Sequence, residues 1–496
     1  MSAGAEEFSK RLPPGLWASA KEAAAALVGA SRVVVATHID ADGISAGAIA
    51  ATALGRKGVM AEVRFFKKLD DEAIASLSAT GADIVWYTDL GSGSASKLGG
   101  KQTVVSDHHV PDTQSGGSNV TGQARLFDFS GVLHVNPQLH GVSGATDLSG
   151  AGATFLVAAA LDGRNADLSH LAVLGGVGDL QDQRTRRLEG LNREISALAV
   201  SAGVLEVVQD IRLFGRETRP VHKMLEYSSD PFLPGITSDE QSAISFLLSL
   251  GIELKEGDAW RTWAMLSRDE KDTVIGALRE MLSKRSRRPE SLLRLTGEVY
   301  VLRKEAAGSP LRDAKEYATL LNACGRHARG EVGLAICMGD RGAALQEGLA
   351  LLRDHRSALS QAISLAKDLG VTRLRNIQYF DAGPDIEETI VGTVAGMLLG
   401  EAGSDRSAPM VAFADSDEYS EEPKAKASAR GTQDLVSRGM DLSVAMRRAA
   451  EAVGGVGGGH NIAAGATIPA SRKEDFLDEL DRTVEEQLSS RARRPG

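Results

Sequence analysis

Two cysteines in 496 residues, Cys324 and Cys337, lie in aliphatic surroundings without the paired spacing of a zinc site. A disulfide framework and a structural zinc are therefore not expected, and both thiols read as core residues. Aromatic residues are 4% of the chain, too few for a surface that holds nucleic acid mainly by stacking. No apolar run approaches the roughly 18 residues that a membrane span requires. The opening "MSAGAEEFSKRLPPG" lacks the basic-then-apolar order of a secretory signal, so a cytoplasmic protein without a membrane partner is expected. Positive charge is short as well. A net charge of −10 gives no overall pull toward a polyanion, which must then be met locally. Candidate patches are Arg184, Arg186 and Arg187; Arg212, Arg216, Arg219 and Lys223; the stretch from Lys284 to Arg288; and Arg491 to Arg494. Each could equally be an ordinary solvated face.

The length calls for two or three domains. From about 20 to 205 short β-rich runs alternate with alanine- and leucine-rich segments of helical length, the pattern of an α/β domain with a parallel sheet under helices. Four runs read as buried strands: "RVVVATH", "DIVWYTD", "QTVVSDHH" and "LAVLGGVGD". Residues 206–373 read as a mostly helical linker or insertion. Within it "EYATLLNACGRHARGEVGLAICMGD" reads as helix, glycine turn and strand, with Arg326, His327 and Arg329 at the turn. Residues 374–496 read as a second, smaller α/β unit.

Each of the four runs ends on acids or histidines: His38, Asp40 and Asp42; Asp89; Asp107, His108 and His109; Asp179. The carboxyl ends of strands in open α/β sheets face the ligand crevice, so these groups should converge. An aspartate after a strand is often a helix cap, which would suffice for Asp42 or Asp179 alone. Capping accounts for one acid per junction and leaves His38, His108 and His109 unexplained. Together the groups match the needs of a two-metal centre, which activates water and stabilises displacement at phosphorus. A carboxylate-rich set with a minority of imidazoles favours manganese, with magnesium as the alternative.

The run "GGVGGGH" raises a similar choice between a flexible linker and a backbone loop whose N–H groups receive a phosphate. It lies between an apparent helix, "DLSVAMRRAAEAV", and a strand-like "AAGATIP", not between domains. Phosphate binding by Gly457, Gly458 and Gly459, with His460 and Arg430 as side-chain partners, is the reading adopted.

These motifs resemble those of the DHH phosphoesterase superfamily: "THIDADG", "YTDLG", "SDHH" and "GGVGD" in order, then "GGGHNIAAGA", similar to the glycine-rich signature of the DHH-associated C-terminal domain. The resemblance covers about residues 25–200 and 374–490. Phrases such as "LFGRETRPVHKMLEYSSDPFLPGI" and "LLNACGR" look most like archaeal RecJ-like nucleases, including those that associate with the GINS component of the replicative helicase. The resemblance implies that His38 and Asp40 hold a first metal and Asp42 a second, that Asp89 bridges both, and that His108 and Asp179 complete the second site. It further implies that His109 contacts the scissile phosphate while Asp107 orients the histidines, Asp107, His109 and Asp89 being the catalytic set. The implied activity is a manganese-dependent exonuclease on single-stranded DNA or RNA, releasing nucleoside monophosphates in replication or repair. Arg184 and its neighbours, with the segment from Arg212 to Lys223, would carry the strand. Two alternatives stand beside it: a phosphodiesterase for short oligoribonucleotides, cyclic dinucleotides or nucleotide 3′-phosphates, and a replisome scaffold bound to helicase components.

Overall fold

The computed structural model describes residues 3–99, 102–112, 132–228, 230–285, 289–400, 404–416 and 422–492. Arg287, Arg288, Arg493 and Arg494, assigned above to basic patches, lie outside them. The chain divides into two compact units, Met1–Leu352 and Arg353–Gly496. Among the described residues no helix is long and apolar enough to cross a membrane.

The first unit is built on a five-stranded parallel sheet: β1 (Arg32–His38), β2 (Met60–Phe66), β3 (Ile84–Thr88), β4 (Gln102–Ser106) and β5 (Val132–Val135), in the order β2-β1-β3-β4-β5. β1 and β3 are buried along nearly their whole length, as strands covered on both faces must be, and their unbroken β-branched and aromatic runs reflect this. Trp86 of β3 is fully buried and donates its indole N–H to Ser106 Oγ at 2.9 Å.

The helices Ala41–Arg56, Gly150–Leu161 and Ser169–Gly178 are buried on almost every side. Their small, apolar composition allows the close approach, and a helix apolar all round is a core helix. The last of them corrects the sequence reading, in which "LAVLGGVGD" is a strand. An unbroken apolar run shows neither the period of a strand nor that of a helix, so sequence alone does not separate the two. The same holds for "GEVGLAIC", read as a strand and found as the helix Gly330–Cys337.

Strand Leu205–Ile211 pairs antiparallel with Thr296–Leu302. Between them residues 211–295 gather a separate apolar cluster around the fully buried Trp263. After it, helix Ala314–Arg326 returns to the first core through Tyr317, Leu320 and Leu321.

The second unit is a six-stranded mixed sheet in which, among the described residues, the outermost strand Val456–Gly459 pairs with Ala463–Pro469 alone. Alternate residues of strand Met410–Asp415 serve two cores: Met410, Ala412 and Ala414 pack with helix Glu388–Gly400, and Val411 and Phe413 with helices Leu442–Ala452 and Lys473–Ala492. That division follows from the two-residue period of a strand.

Candidate metal centre

His38 is the last residue of β1, and the chain passes at once into helix Ala41–Arg56. Asp40 caps this helix, accepting the Gly43 N–H at 2.9 Å. A side chain at Gly43 would stand 2.3 Å from the His38 carbonyl oxygen, so the turn is open only to glycine. Asp42, in the first turn, is not the cap. Its two carboxylate oxygens accept the N–H groups of Gly150 and Ala151 at 2.8 and 2.9 Å, so the positive ends of two helices meet on one buried acid.

Asp89 follows β3 with φ of +57°, a left-handed backbone conformation uncommon outside glycine, and is buried. After β4, Asp107 Oδ1 accepts the backbone N–H of His108 at 2.7 Å and lies 2.8 Å from His109 Nδ1, while its Oδ2 accepts the Ser92 N–H at 2.9 Å. Asp107 is thereby committed to holding its neighbours. His108 Nδ1 donates to the Gly144 carbonyl at 2.6 Å. This directs Nε2 toward three acids: Asp89 Oδ1 at 3.3 Å, Asp42 Oδ2 at 3.8 Å and Asp179 Oδ2 at 3.8 Å. Asp179 comes from the carboxyl end of helix Ser169–Gly178, not from a strand. Three strand ends and one helix end therefore converge.

Three sets could each hold a cation: His38, Asp40 and Asp89; Asp42, His108 and Asp179; and Asp89, Asp107, His108 and His109, which shares Asp89 with the first and His108 with the second. A metal fits them on an observation independent of ligand type. His38 Nδ1 and Asp89 Oδ1 are buried without a hydrogen-bond partner, although His38 Nδ1 lies 3.1 Å from Asp40 Oδ2 and 3.6 Å from Asp89 Oδ2. Buried polar atoms are ordinarily paired, and orphans clustered in one place call for an ion.

The electrostatics are those of acids crowded out of water. Burial, then the charge of Asp89, raises Asp42 well above the usual carboxylate range. Burial also raises Asp179. Burial alone would lower His38 and His108, but Asp40 and Asp89 beside His38, and Asp89, Asp179 and Asp42 beside His108, hold both well above an ordinary imidazole. His109 is raised likewise, Asp107 outweighing burial. Asp40 and Asp107, despite burial, are drawn below the usual carboxylate range by His38 and His109 respectively.

Several contributors were not singled out from sequence. Gln181 Nε2 donates to Asp179 Oδ2 at 2.8 Å. Asn322 Oδ1 accepts the Ala41 N–H at 2.9 Å, tying helix Ala314–Arg326 to the His38–Asp42 turn. A Cβ at Gly150 would meet Asp89 Oδ1 at 2.3 Å, and one at Gly175 would meet Asp42 Oδ1 at 2.2 Å. Their only signal was glycine inside helical apolar runs, where its cost implies a close approach.

Among the basic residues, Arg184 is exposed, with Glu189 at 3.5 Å. Arg212 and Arg216 do not line a strand-binding face. Both are buried, Arg212 against Asp182 at 2.6 Å and Arg216 between Asp210 at 2.5 Å and Asp313 at 2.9 Å. Lys223 pairs with Glu226 and Glu240, and Arg219 lies over Phe214 and Tyr227. In the second unit Gly457, Gly458 and Gly459 belong to the outer strand and not to a loop. A side chain at Gly457 would strike the Met446 carbonyl at 2.5 Å, whereas Gly458 faces open space. Arg430 stands opposite Ala463, whose carbonyl accepts the His460 N–H at 2.8 Å, so Arg430 and His460 share one end of that sheet.

The DHH-CID domain family matches residues 213–295 and the DHHA1 domain family residues 374–486. An uncharacterized protein of Methanocaldococcus jannaschii is 28% identical over 459 residues, 92% of this chain and 93% of its own length. RecJ of Thermus thermophilus, solved in complex with Mn2+, superposes with a TM-score of 0.56 at 18% identity, over 96% of this chain but 55% of that one. The chain thus spans little more than half the length of that protein. CDC45 of Entamoeba histolytica superposes with a TM-score of 0.59 at 11% identity, over 97% of this chain and 99% of its own. At these identities the likeness to both structures is one of fold.

Proposed function

We propose, for a chain that belongs to the DHH superfamily and is RecJ-like, a metal-dependent phosphodiesterase acting as an exonuclease on single-stranded DNA or RNA and releasing nucleoside monophosphates. The observation that carries the reading is the pair of orphaned buried atoms, His38 Nδ1 and Asp89 Oδ1, inside a ring of carboxylates and imidazoles.

His38, Asp40 and Asp89 would hold one divalent ion, and Asp42, His108 and Asp179, with Asp89 shared, a second. Manganese is the first choice for this oxygen-rich set with one imidazole in each half, and magnesium the second. Such a pair supplies a nucleophile at neutral pH and offsets charge on a phosphate undergoing in-line displacement. His109, tied at Nδ1 to Asp107 and half exposed, presents Nε2 to a phosphate oxygen of the substrate. Arg184 meets the strand beyond the cleaved bond, and His460, Arg430 and the glycine strand receive the terminal phosphate. The proposed location is the cytoplasm.

Digestion of 5′- and 3′-labelled DNA and RNA single strands in manganese tests the reading. Shortening from one end with mononucleotide products supports it. An Asp89→Ala protein that folds and still hydrolyses would sink it. Hydrolysis of a dinucleotide but not of a long strand would move the assignment to short substrates. The fold likeness to CDC45 favours a second reading, a scaffold bound to helicase components, for which co-purification would be unaffected by Asp89→Ala.

A further inference from the structure

Asp179 and His108 come from different elements, yet one buried side chain connects them. Gln181 Nε2 donates to Asp179 Oδ2 and to the Gly144 carbonyl, both at 2.8 Å. The same carbonyl accepts His108 Nδ1–H at 2.6 Å. Gln181 Oε1 in turn accepts from Asn192 Nδ2 at 2.5 Å, and Gln181 and Asn192 are 4% and 2% exposed. The amide can face only one way, because Asp179 and Gly144 offer lone pairs alone and must see the nitrogen. Both its N–H groups and its oxygen are used.

We propose that Gln181 is the positioning residue for the Asp42–His108–Asp179 half of the metal centre, with Asn192 as its anchor. Through Asp179 it selects the carboxylate rotamer. Through the Gly144 carbonyl it keeps the proton of His108 on Nδ1 and leaves the Nε2 lone pair for an ion, the outer-shell arrangement that sets ligand direction and basicity. The His38–Asp40 half has no hydrogen bond from Gln181. The inference rests on the metal-binding reading of "Proposed function" and adds a selectivity between its two halves.

Mn2+ titration of the full chain, following free Mn2+ by electron paramagnetic resonance, tests it. Gln181→Met keeps the length of the side chain and removes both donors. One ion should bind as in the wild type and the other about 10- to 100-fold more weakly, the usual effect of losing an outer-shell partner. Asn192→Ala, readable even if Gln181→Met does not fold, should weaken the same ion to a smaller degree and add nothing in the Gln181→Met background. Equal weakening of both ions, as a general loss of structure would give, overturns the proposal, and so do unchanged affinities. A wild-type chain that takes up no Mn2+ instead fails the reading beneath it and removes this one too.

Discussion

Gly150 faces Asp89 so closely that a methyl group at position 150 would lie 2.3 Å from Asp89 Oδ1 and 2.5 Å from its Cβ. Asp89 cannot retreat, since it is buried and its backbone is already left-handed. Gly150→Ala should therefore cost about 1–3 kcal/mol of stability as an overpacked core position. It should also abolish the proposed metal-dependent hydrolysis by displacing Asp89, the carboxylate proposed to serve both ions. Urea denaturation and an activity assay on the same preparation check both.

Glu316 predicts a pH dependence outside the metal centre. It accepts the Glu217 N–H at 2.8 Å and the Thr218 hydroxyl, yet burial, then crowding by Asp313, pushes it up to about 7 from 4.5. An acid raised on folding binds its proton more tightly in the folded state. Its contribution is thus complete below about 4.5 and lost as pH rises through about 7. Glu316→Gln should match the wild type at pH 4.5 and exceed it at pH 8 by about 3 kcal/mol, since each tenfold change in proton affinity is worth about 1.4 kcal/mol. Denaturation curves at the two pH values read this directly.

Arg212 and Arg184 should separate by assay. Removing Arg212 strands the buried Asp182 carboxylate and should cost about 3–5 kcal/mol of stability. Arg184→Ala should leave stability within about 0.5 kcal/mol. It should also weaken single-strand binding and reduce the slope of log affinity against log salt by about 1. Equilibrium denaturation and a salt series of binding isotherms distinguish the two.

Metal uptake should be proton-linked. The acids around His38 and His108 raise both imidazoles well above their ordinary range despite burial, so an ion that takes their ring nitrogens competes with protons. Apparent Mn2+ affinity should therefore rise with pH, with proton release measurable in weakly buffered solution. Wild-type and His38→Ala proteins compared by calorimetry in two buffers of different ionisation enthalpy give the number released.

Much of this was legible in the residues. β1, β3 and β4 announced themselves because short β-branched runs stop abruptly at His38, Asp89 and Asp107, and parallel strands bring such stops to one edge. Asp179 was placed correctly at an element's end but on the wrong element, because an apolar run buried on all sides has no period to read. Arg212 and Arg216 looked like a basic face. Asp182 lies 30 positions from Arg212 and Asp313 lies 97 from Arg216, with only Asp210, 6 positions before Arg216, near in sequence, and no local pattern reveals the longer pairings. Gln181 and Asn192 were invisible for the same reason: an amide's role depends on what surrounds it.

The two amides that hold Asp42 belong to residues 108 and 109 positions further along the chain. Asp179 and its support at Asn192 come later still. During synthesis, His38, Asp40 and Asp42 leave the ribosome long before any of these, on a segment whose strands pair only over long distances and therefore slowly. The Asp42 half of the proposed centre therefore waits for residues up to Asn192, whereas His38, Asp40 and Asp89 are all present once residue 89 has been made.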